Sequence, residues 1–247
     1  MTKVDWAVLF SSRAASRELL PWSHPRVLTD SERRLVSGSM QQFQLGEGSD
    51  GSGLIRRGHS SRLAALDSNF IPSLELFIRE EQRHSRHLAG FLEREGVALL
   101  HQHWVDRVFR RVRKFAGLEL CLRVLVMAEI VAVPYYTALE RATGSELLQS
   151  ICANSLADET DHLRFQAENL KRLQRSRRSL PLMELVFWRC FQLATLLVVW
   201  REHGQVLRAG GYGWNSFRKE CVRLLVAVTH NEFEAREAEQ QVLLAAD

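Results

Sequence analysis

Residues 74–91 read LELFIREEQRHSRHLAGF, and their apolar side chains recur at the three- and four-residue spacing of one helix face. That face comprises Leu74, Phe77, Ile78, Leu88 and Phe91. Glu81 and His84 continue the same face through its middle, so a carboxylate and an imidazole point into the core. A buried carboxylate without a partner destabilises a fold by several kcal/mol. A metal ion is one partner that would satisfy both side chains.

A second Glu-x-x-His pair, Glu159 and His162, follows the same rule in residues 148–170. Its apolar face contains Leu148, Ile151, Cys152, Ser155 and Leu170. Side chains three residues apart lie on one side of a helix. Each pair therefore predicts two candidate ligands that face the core together.

Two single glutamates interrupt other apolar faces. Glu129 is the only charged residue between Val124 and Leu139. Glu47 continues a stripe that begins with a helix near Ser31 and extends to Leu54, although glycines crowd its second half. Asp50 lies on nearly the same face as Glu47 and is an alternative ligand.

The spacing of these residues predicts how their helices pair. Glu47 lies 34 residues before Glu81, and Glu129 lies 30 residues before Glu159. Each interval fits one helix out, a turn and one helix back, which is the ligand pattern of di-iron carboxylate four-helix bundles. Four carboxylates can bridge and charge-balance two divalent ions while two imidazoles complete the coordination. The predicted ligands, and the catalytic residues, are Glu47, Glu81, His84, Glu129, Glu159 and His162.

The two motifs resemble those of the ferritin-like di-iron superfamily. EEQRH at residues 80–84 resembles the E-E-x-R-H signature of acyl-carrier-protein desaturases. DETDH at residues 158–162 resembles the D-E-x-R-H motif of those enzymes, of ribonucleotide reductase small subunits and of bacterial multicomponent monooxygenases. The resemblance implies that Glu80 and Asp158 hydrogen-bond the opposite histidines. Asp161 departs from the family, because arginine is usual at that position.

The resemblance also implies a function. Two iron ions, with manganese or zinc as substitutes, would activate dioxygen for hydroxylation, desaturation or N-oxygenation of an apolar small molecule or a carrier-bound acyl chain. Leu125, Val133 and Tyr136 flank Glu129 and are the predicted cavity residues. Electrons would come from an external ferredoxin or reductase. The alternatives are a ferritin- or rubrerythrin-like protein that binds iron or removes peroxide, and a helical module with a vestigial site.

The whole chain is expected to form one all-helical, ferritin-like domain, residues 1–247. An irregular lead covers residues 1–30, the four-helix bundle covers residues 31–174, and additional C-terminal helices cover residues 180–247. The expected helices after the first cover residues 68–95, 104–141 with a break near Gly117, 145–174, 182–207 and 215 to the end.

Composition excludes several other classes. The chain has 247 residues, 46% hydrophobic, and a net charge of only +4, so it is neither disordered nor an obvious nucleic-acid binder. Its four cysteines lie far apart, which argues against a disulfide scaffold or a cysteine-bound cluster and favours the cytoplasm. Residues 183–200 are apolar but interrupted by charges, so a buried helix is expected rather than a membrane span. A homodimer is left open.

Overall fold

The structure is a computed structural model that describes residues 4–16, 20–25, 28–114, 117–174 and 182–230. Within those residues it is all-helical and has no strand. The helices are α1 Trp6–Ser16, α2 Asp30–Glu47, α3 Ser52–His59, α4 Arg62–Leu66, α5 Phe70–Arg94, α6 Trp104–Lys114, α7 Leu118–Arg141, α8 Glu146–Gln174, α9 Leu182–Ala209 and α10 Trp214–His230. The part of the last predicted helix beyond residue 230 lies outside the described residues.

The contacts along α2, α5, α7 and α8 fix the direction of each helix. The start of α2 meets the end of α5, where Arg33 pairs with Glu95 at 3.2 Å, so these two helices are antiparallel. The start of α2 also meets the end of α7, because Glu32 accepts a hydrogen bond from the backbone N–H of Gly144. Residues 142–145 join α7 and α8 into a hairpin. Consequently α2 and α8 run one way, while α5 and α7 run the other.

This arrangement requires one long connection. Both α5 and α7 run in the same direction, so residues 95–117, which include α6, must carry the chain from one end of the bundle to the other. The other connections between neighbouring long helices do not cross the bundle lengthwise. The topology is therefore a four-helix bundle with one crossover.

The helix that carries Glu47 is shorter than the sequence predicts. A capping box formed by Thr29 and Glu32 starts α2, and the helix ends at Glu47 instead of continuing to Leu54. Gly48 follows as the C-cap, with a non-helical ψ of 35°, and Gly51, with a left-handed φ of 68°, is the residue from which α3 begins. The crowding of glycines after Glu47 is the physical reason for this early end.

The lead that was expected to be irregular contains a helix, α1. Trp6 and Phe10 lie one turn apart and are buried, and both rings pack against Phe165 of α8. The indole N–H of Trp6 also donates a hydrogen bond to Glu168 at 2.8 Å. This i, i+4 aromatic pair gives α1 an anchoring face that a short, weakly periodic sequence does not reveal.

The expectation that residues 183–200 form a buried helix is wrong. Within the described residues, α9 is the one helix whose length and composition would permit a membrane span, and only 18% of its most apolar window is buried. Met183 is 85% exposed, and Phe187 is 54% exposed. The other side of α9 packs on α2 and α7, so only one stripe of this apolar helix is covered.

Candidate metal centre

The bundle brings all six predicted ligands to one place. One group of side-chain atoms comes from Glu81, Glu129, Glu159 and His162, and a second comes from Glu47, His84 and Glu159. Within each group the candidate ligand atoms lie within 4.8 Å of one another, and each group could hold a metal ion. Glu159 belongs to both groups, so the two sites are adjacent.

Glu47, and not Asp50, joins this cluster. Asp50 is exposed and follows the end of α2. Its carboxylate accepts hydrogen bonds from the backbone N–H and the hydroxyl of Ser52, at 3.1 Å each, and so caps the next segment. The two acids that share a face in a continuous helix are separated here because the helix ends between them.

Hydrogen bonds across the bundle orient both histidines. The Nε2 atom of His84 lies 2.8 Å from Asp158, and the Nε2 atom of His162 lies 3.0 Å from Glu80. In each ring the N–H at Nε2 donates to the carboxylate, which leaves the lone pair on Nδ1. Both Nδ1 atoms therefore face the other four predicted ligands.

Buried atoms without a hydrogen-bond partner test whether the site suits a cation. They include Glu47 Oε2, Glu81 Oε1, His84 Nδ1, Glu159 Oε2 and His162 Nδ1. The Nδ1 atom of His162 and Oε1 of Glu81 are 2.9 Å apart, so two acceptors face each other across a short gap. Orphaned polar atoms inside a core are costly unless a proton or a cation lies between them. The donor set is therefore suited to a metal.

The charges of the cluster are strongly coupled. Burial, followed by the charges of Glu81 and Glu159, raises the pKa of Glu47 and of Glu129 well above 4.5. Burial alone would raise the pKa of Glu159, but its contacts, chiefly with His162, together outweigh burial and lower it. Burial alone would lower the pKa of His162, but contacts with Glu159, Glu80 and Glu81 raise it well above 6.5. Protons therefore occupy part of the metal-free cluster, and a cation would displace them.

Two arginines neutralise the outer carboxylates. Arg83 lies 3.1 Å from Glu80 and 3.1 Å from Asp158. Arg13 of α1 lies 3.0 Å from Asp158 and also pairs with Asp161. An arginine is usual at position 161 in the family that the motifs resemble, and here the Asp161 carboxylate is paired with Arg13 of α1 and, at 3.2 Å, with Arg164 of its own helix.

Two further side chains donate hydrogen bonds to the predicted ligands. The side-chain amide of Gln166 donates to Glu129 at 2.7 Å, and the hydroxyl of Tyr136 donates to Glu47 at 2.6 Å. Gln166 was not among the residues predicted from the sequence. Its position four residues after His162, on the same face of α8, is the signal that could have identified it.

A cavity of about 410 Å³ opens beside the cluster. Three predicted ligands, Glu47, Glu81 and Glu129, contribute to its wall. Apolar residues form much of the remaining wall and include Phe43, Leu54, Phe77, Ile78, Val124, Leu125, Ala128, Ala132 and Val199. The cavity can therefore bring an apolar molecule next to the ligands.

The predicted cavity residues are only partly correct. Leu125 lines the cavity, but neither Val133 nor Tyr136 is among the lining residues. Tyr136 is fully buried because its hydroxyl turns inward to Glu47. Val133 lies about 80° around α7 from Leu125, at 100° per residue, so it faces a different side of the helix.

No protein-family model, curated protein or solved structure matches this chain. The case for a metal centre therefore rests on the site itself, which combines six converging ligand residues, two oriented histidines and a set of orphaned buried atoms.

Proposed function

We propose that this protein is a ferritin-like, non-haem di-iron oxidoreductase that activates dioxygen to oxidise an apolar small-molecule or carrier-bound substrate. Hydroxylation, desaturation and N-oxygenation all fit this chemistry. The observation that carries the proposal is the pair of overlapping ligand groups that share Glu159. A carboxylate common to two adjacent groups can bridge two ions, which a single-metal site does not require.

The direction of the helices supports the ferritin-like assignment. Ferritin-like bundles have one long crossover connection, and the segment between α5 and α7 is such a crossover. The ligand pattern agrees with this topology, since Glu47 and Glu129 come from α2 and α7, and the two Glu-x-x-His pairs come from α5 and α8.

Each of the two ligand groups would bind one ion. Glu81, Glu129, Glu159 and His162 would hold one ion, and Glu47, His84 and Glu159 would hold the other. Iron is the proposed metal, and manganese or zinc suits the same ligands. When bound, the iron pair supplies the redox chemistry that reduces dioxygen.

The chain itself contributes orientation and a cavity. Asp158 and Glu80 keep the N–H of each histidine outward, so that each Nδ1 lone pair stays available to a metal. The apolar part of the wall beside Glu129 would hold an apolar substrate next to the ligands. Tyr136 holds a proton on its hydroxyl, and burial raises its pKa well above 10.0, so it remains a donor to Glu47.

Electrons for repeated turnover are proposed to come from an external ferredoxin or reductase. All four cysteines are free thiols, and Cys121, Cys152 and Cys221 are buried singly in different helices. They do not gather into a cluster that could supply electrons internally. Free thiols also agree with a reducing compartment such as the cytoplasm. An acyl-carrier partner and a homodimer remain part of the proposal.

Titration of ferrous iron in air, followed by absorbance and by metal analysis, tests the proposal. We expect oxidation to stop near two irons per chain, without a mineral core, and turnover to require added reductant. Uptake of tens of irons per chain would instead identify an iron-storage protein. A metal content near zero after iron supplementation would refute the metal centre.

A further inference from the structure

One buried histidine lines the same cavity but belongs to neither ligand group. His203 of α9 is 8% exposed and contributes to the cavity wall. Its Nδ1 atom lies 2.8 Å from the hydroxyl of Ser39 on α2. The rings of Tyr135 and Phe43 meet it edge to face, with centroids 5.1 Å and 5.7 Å away. The imidazole is therefore held in one orientation from three sides.

The hydrogen bonds determine which nitrogen carries the proton. Ser39 donates its hydroxyl hydrogen to the oxygen of Tyr135, at 3.2 Å. Ser39 must then accept from Nδ1–H of His203, which places the lone pair of the imidazole on Nε2. Burial, followed by the charge of His103, lowers the pKa of His203 to about 4, so the ring is neutral at pH 7.

The charged groups around this ring lie on α9 itself and on the segment before α6. His103 also lines the cavity, and it lies 4.0 Å from Glu202. Within the described residues, Nε2 of His203 has no hydrogen-bond partner. It is also not a fully buried atom. The lone pair on Nε2 therefore faces the cavity.

His203 packs on α2 ahead of Glu47, because its ring meets Phe43 and Ser39, which precede Glu47 by four and eight residues. Ser39, its partner, precedes Glu47 by eight residues, which is about 12 Å along α2. The cavity-lining residues of α7 extend from Cys121 to Ala132, which is about 16 Å along the helix axis. The cavity wall therefore contains the carboxylates of Glu47, Glu81 and Glu129 and, on α9, the imidazole of His203.

We propose that Nε2 of His203 accepts a hydrogen bond from the substrate. The substrate class is then an apolar molecule that carries a hydroxyl or N–H donor away from the position that is oxidised. This inference rests on the proposed function for the identity of the reaction, but the acceptor itself can be tested by binding alone. His203 acts here as a specificity-determining residue, because a cavity acceptor left without a donor disfavours an otherwise similar molecule.

The experiment compares two probes, 1-octanol and octyl methyl ether, which differ in the ability to donate a hydrogen bond. Binding to the full-length protein is measured by calorimetry, and iron is determined on the same samples. We expect the parent to prefer the alcohol about threefold to tenfold, the usual range for one hydrogen bond. His203→Phe should abolish this preference, and His203→Gln, which restores an acceptor oxygen, should recover part of it.

Thr195→Val is the matched control. Thr195 also lines the cavity, but its hydroxyl donates to the backbone of Phe191 in its own helix. The preference for the alcohol should persist in this variant. Histidine ¹⁵N NMR on the metal-free parent gives a second measurement that needs no substitution, and octanol should shift Nε2 of His203 while the ether should not.

The outcomes separate this inference from the proposed function. An equal preference in the parent and in His203→Phe, no preference in the parent, or no binding of either probe would overturn the role of His203 even if the protein binds two irons. A preference that depends on His203 in a protein that binds no metal would leave the acceptor in place and refute the di-iron function.

Discussion

Each histidine of the centre depends on one carboxylate from the opposite helix. Asp158 bonds His84 and Glu80 bonds His162, so α5 and α8 orient each other's ligands. Glu129 has a different role, because it is itself within one ligand group and is held by Gln166. Removal of a ligand and removal of its supporting residue should therefore have effects of different size.

Substitution at these positions tests that difference. Glu129→Ala should abolish binding of at least one metal ion, and Asp158→Ala should weaken metal affinity about 10–100-fold while binding persists. Asp50→Ala is the control, because Asp50 is exposed and bonds only within its own loop, and this variant should bind metal like the parent. Metal content and competition with a chelator provide the measurement. Equal binding by all three variants would refute the assigned roles.

At the scale of elements, α1 completes the charge balance of the bundle. Arg13 reaches Asp158 and Asp161 of α8 from the opposite end of the sequence, and Arg83 of α5 contacts Asp158 from the other side. Asp161 also pairs with Arg164 of α8 at 3.2 Å, so Arg13 shares the balancing of this carboxylate and adds a second contact to Asp158.

The contribution of α1 can be measured with a pair of substitutions. Breaking a fully buried ion pair costs about 3–5 kcal/mol. Arg13 is partly exposed, so we expect Arg13→Ala to lower the free energy of unfolding by less than that. It should also weaken metal affinity, since Asp158 loses a partner. Asp161→Arg in the same chain should recover part of both losses. Arg86→Ala is the control, since Arg86 is exposed on α5. Urea unfolding and metal competition give the two readouts, and no recovery would contradict this account of position 161.

Glu47 is the last residue of α2, and residues 48–51 form the junction with α3. Gly51 has a φ of 68°, and a Cβ atom there would lie 2.5 Å from Cγ2 of Ile78. Gly96 has nearly the same φ, 69°, but a Cβ there would meet no atom within 4 Å. The two glycines therefore separate backbone strain from steric crowding.

We expect Gly96→Ala to destabilise the protein by about 1 kcal/mol, the cost of the left-handed conformation alone. Gly51→Ala carries the same strain and adds an overpacking cost of about 1–3 kcal/mol. Urea denaturation of both variants measures the difference. Equal losses would show that Ile78 moves aside without cost and that this junction is not tightly packed.

At the scale of the whole molecule, the metal-free centre is a source of instability that depends on pH. Glu47 and Glu129 have raised pKa values, so the folded protein keeps protons that the unfolded chain releases above about pH 4.5. His162 also has a raised pKa, and its contribution is present below pH 6.5 and is lost as pH rises. Both effects reduce the stability of the metal-free fold at higher pH.

The melting temperature of the metal-free protein should therefore fall between pH 6 and pH 9. Metal at one hundred times Kd should increase the free energy of unfolding by about 2.7 kcal/mol and so raise the melting temperature. The effect should be larger at higher pH, because the ligands must be deprotonated to bind. Glu129→Gln removes one of the shifted carboxyls and should make the metal-free decline shallower. Calorimetric scans across this pH range provide the test. A melting temperature that rises with pH, or that saturating metal leaves unchanged, would contradict the buried cluster.

Helical periodicity in the sequence was enough to predict the candidate ligands and the helices that carry them. Glu81 and His84, like Glu159 and His162, are set by helical period alone, because side chains three residues apart share a face in any helix. Glu129 stands out by the same rule, as a lone charge in an apolar run. The starts of α5 and α8 agree with their predicted bounds to within two residues, since these helices are long and strongly periodic.

Only the tertiary structure decided what surrounds those ligands. Arg13 and Asp158 are 145 residues apart, and His203 and Ser39 are 164 residues apart, so no local pattern could connect them. The choice of Glu47 over Asp50 depends on where α2 ends, which is at the C-cap residue Gly48, between the two acids. The exposed stripe of α9 has the same origin: hydropathy shows that a helix is apolar, but the neighbouring helices decide which of its sides is covered.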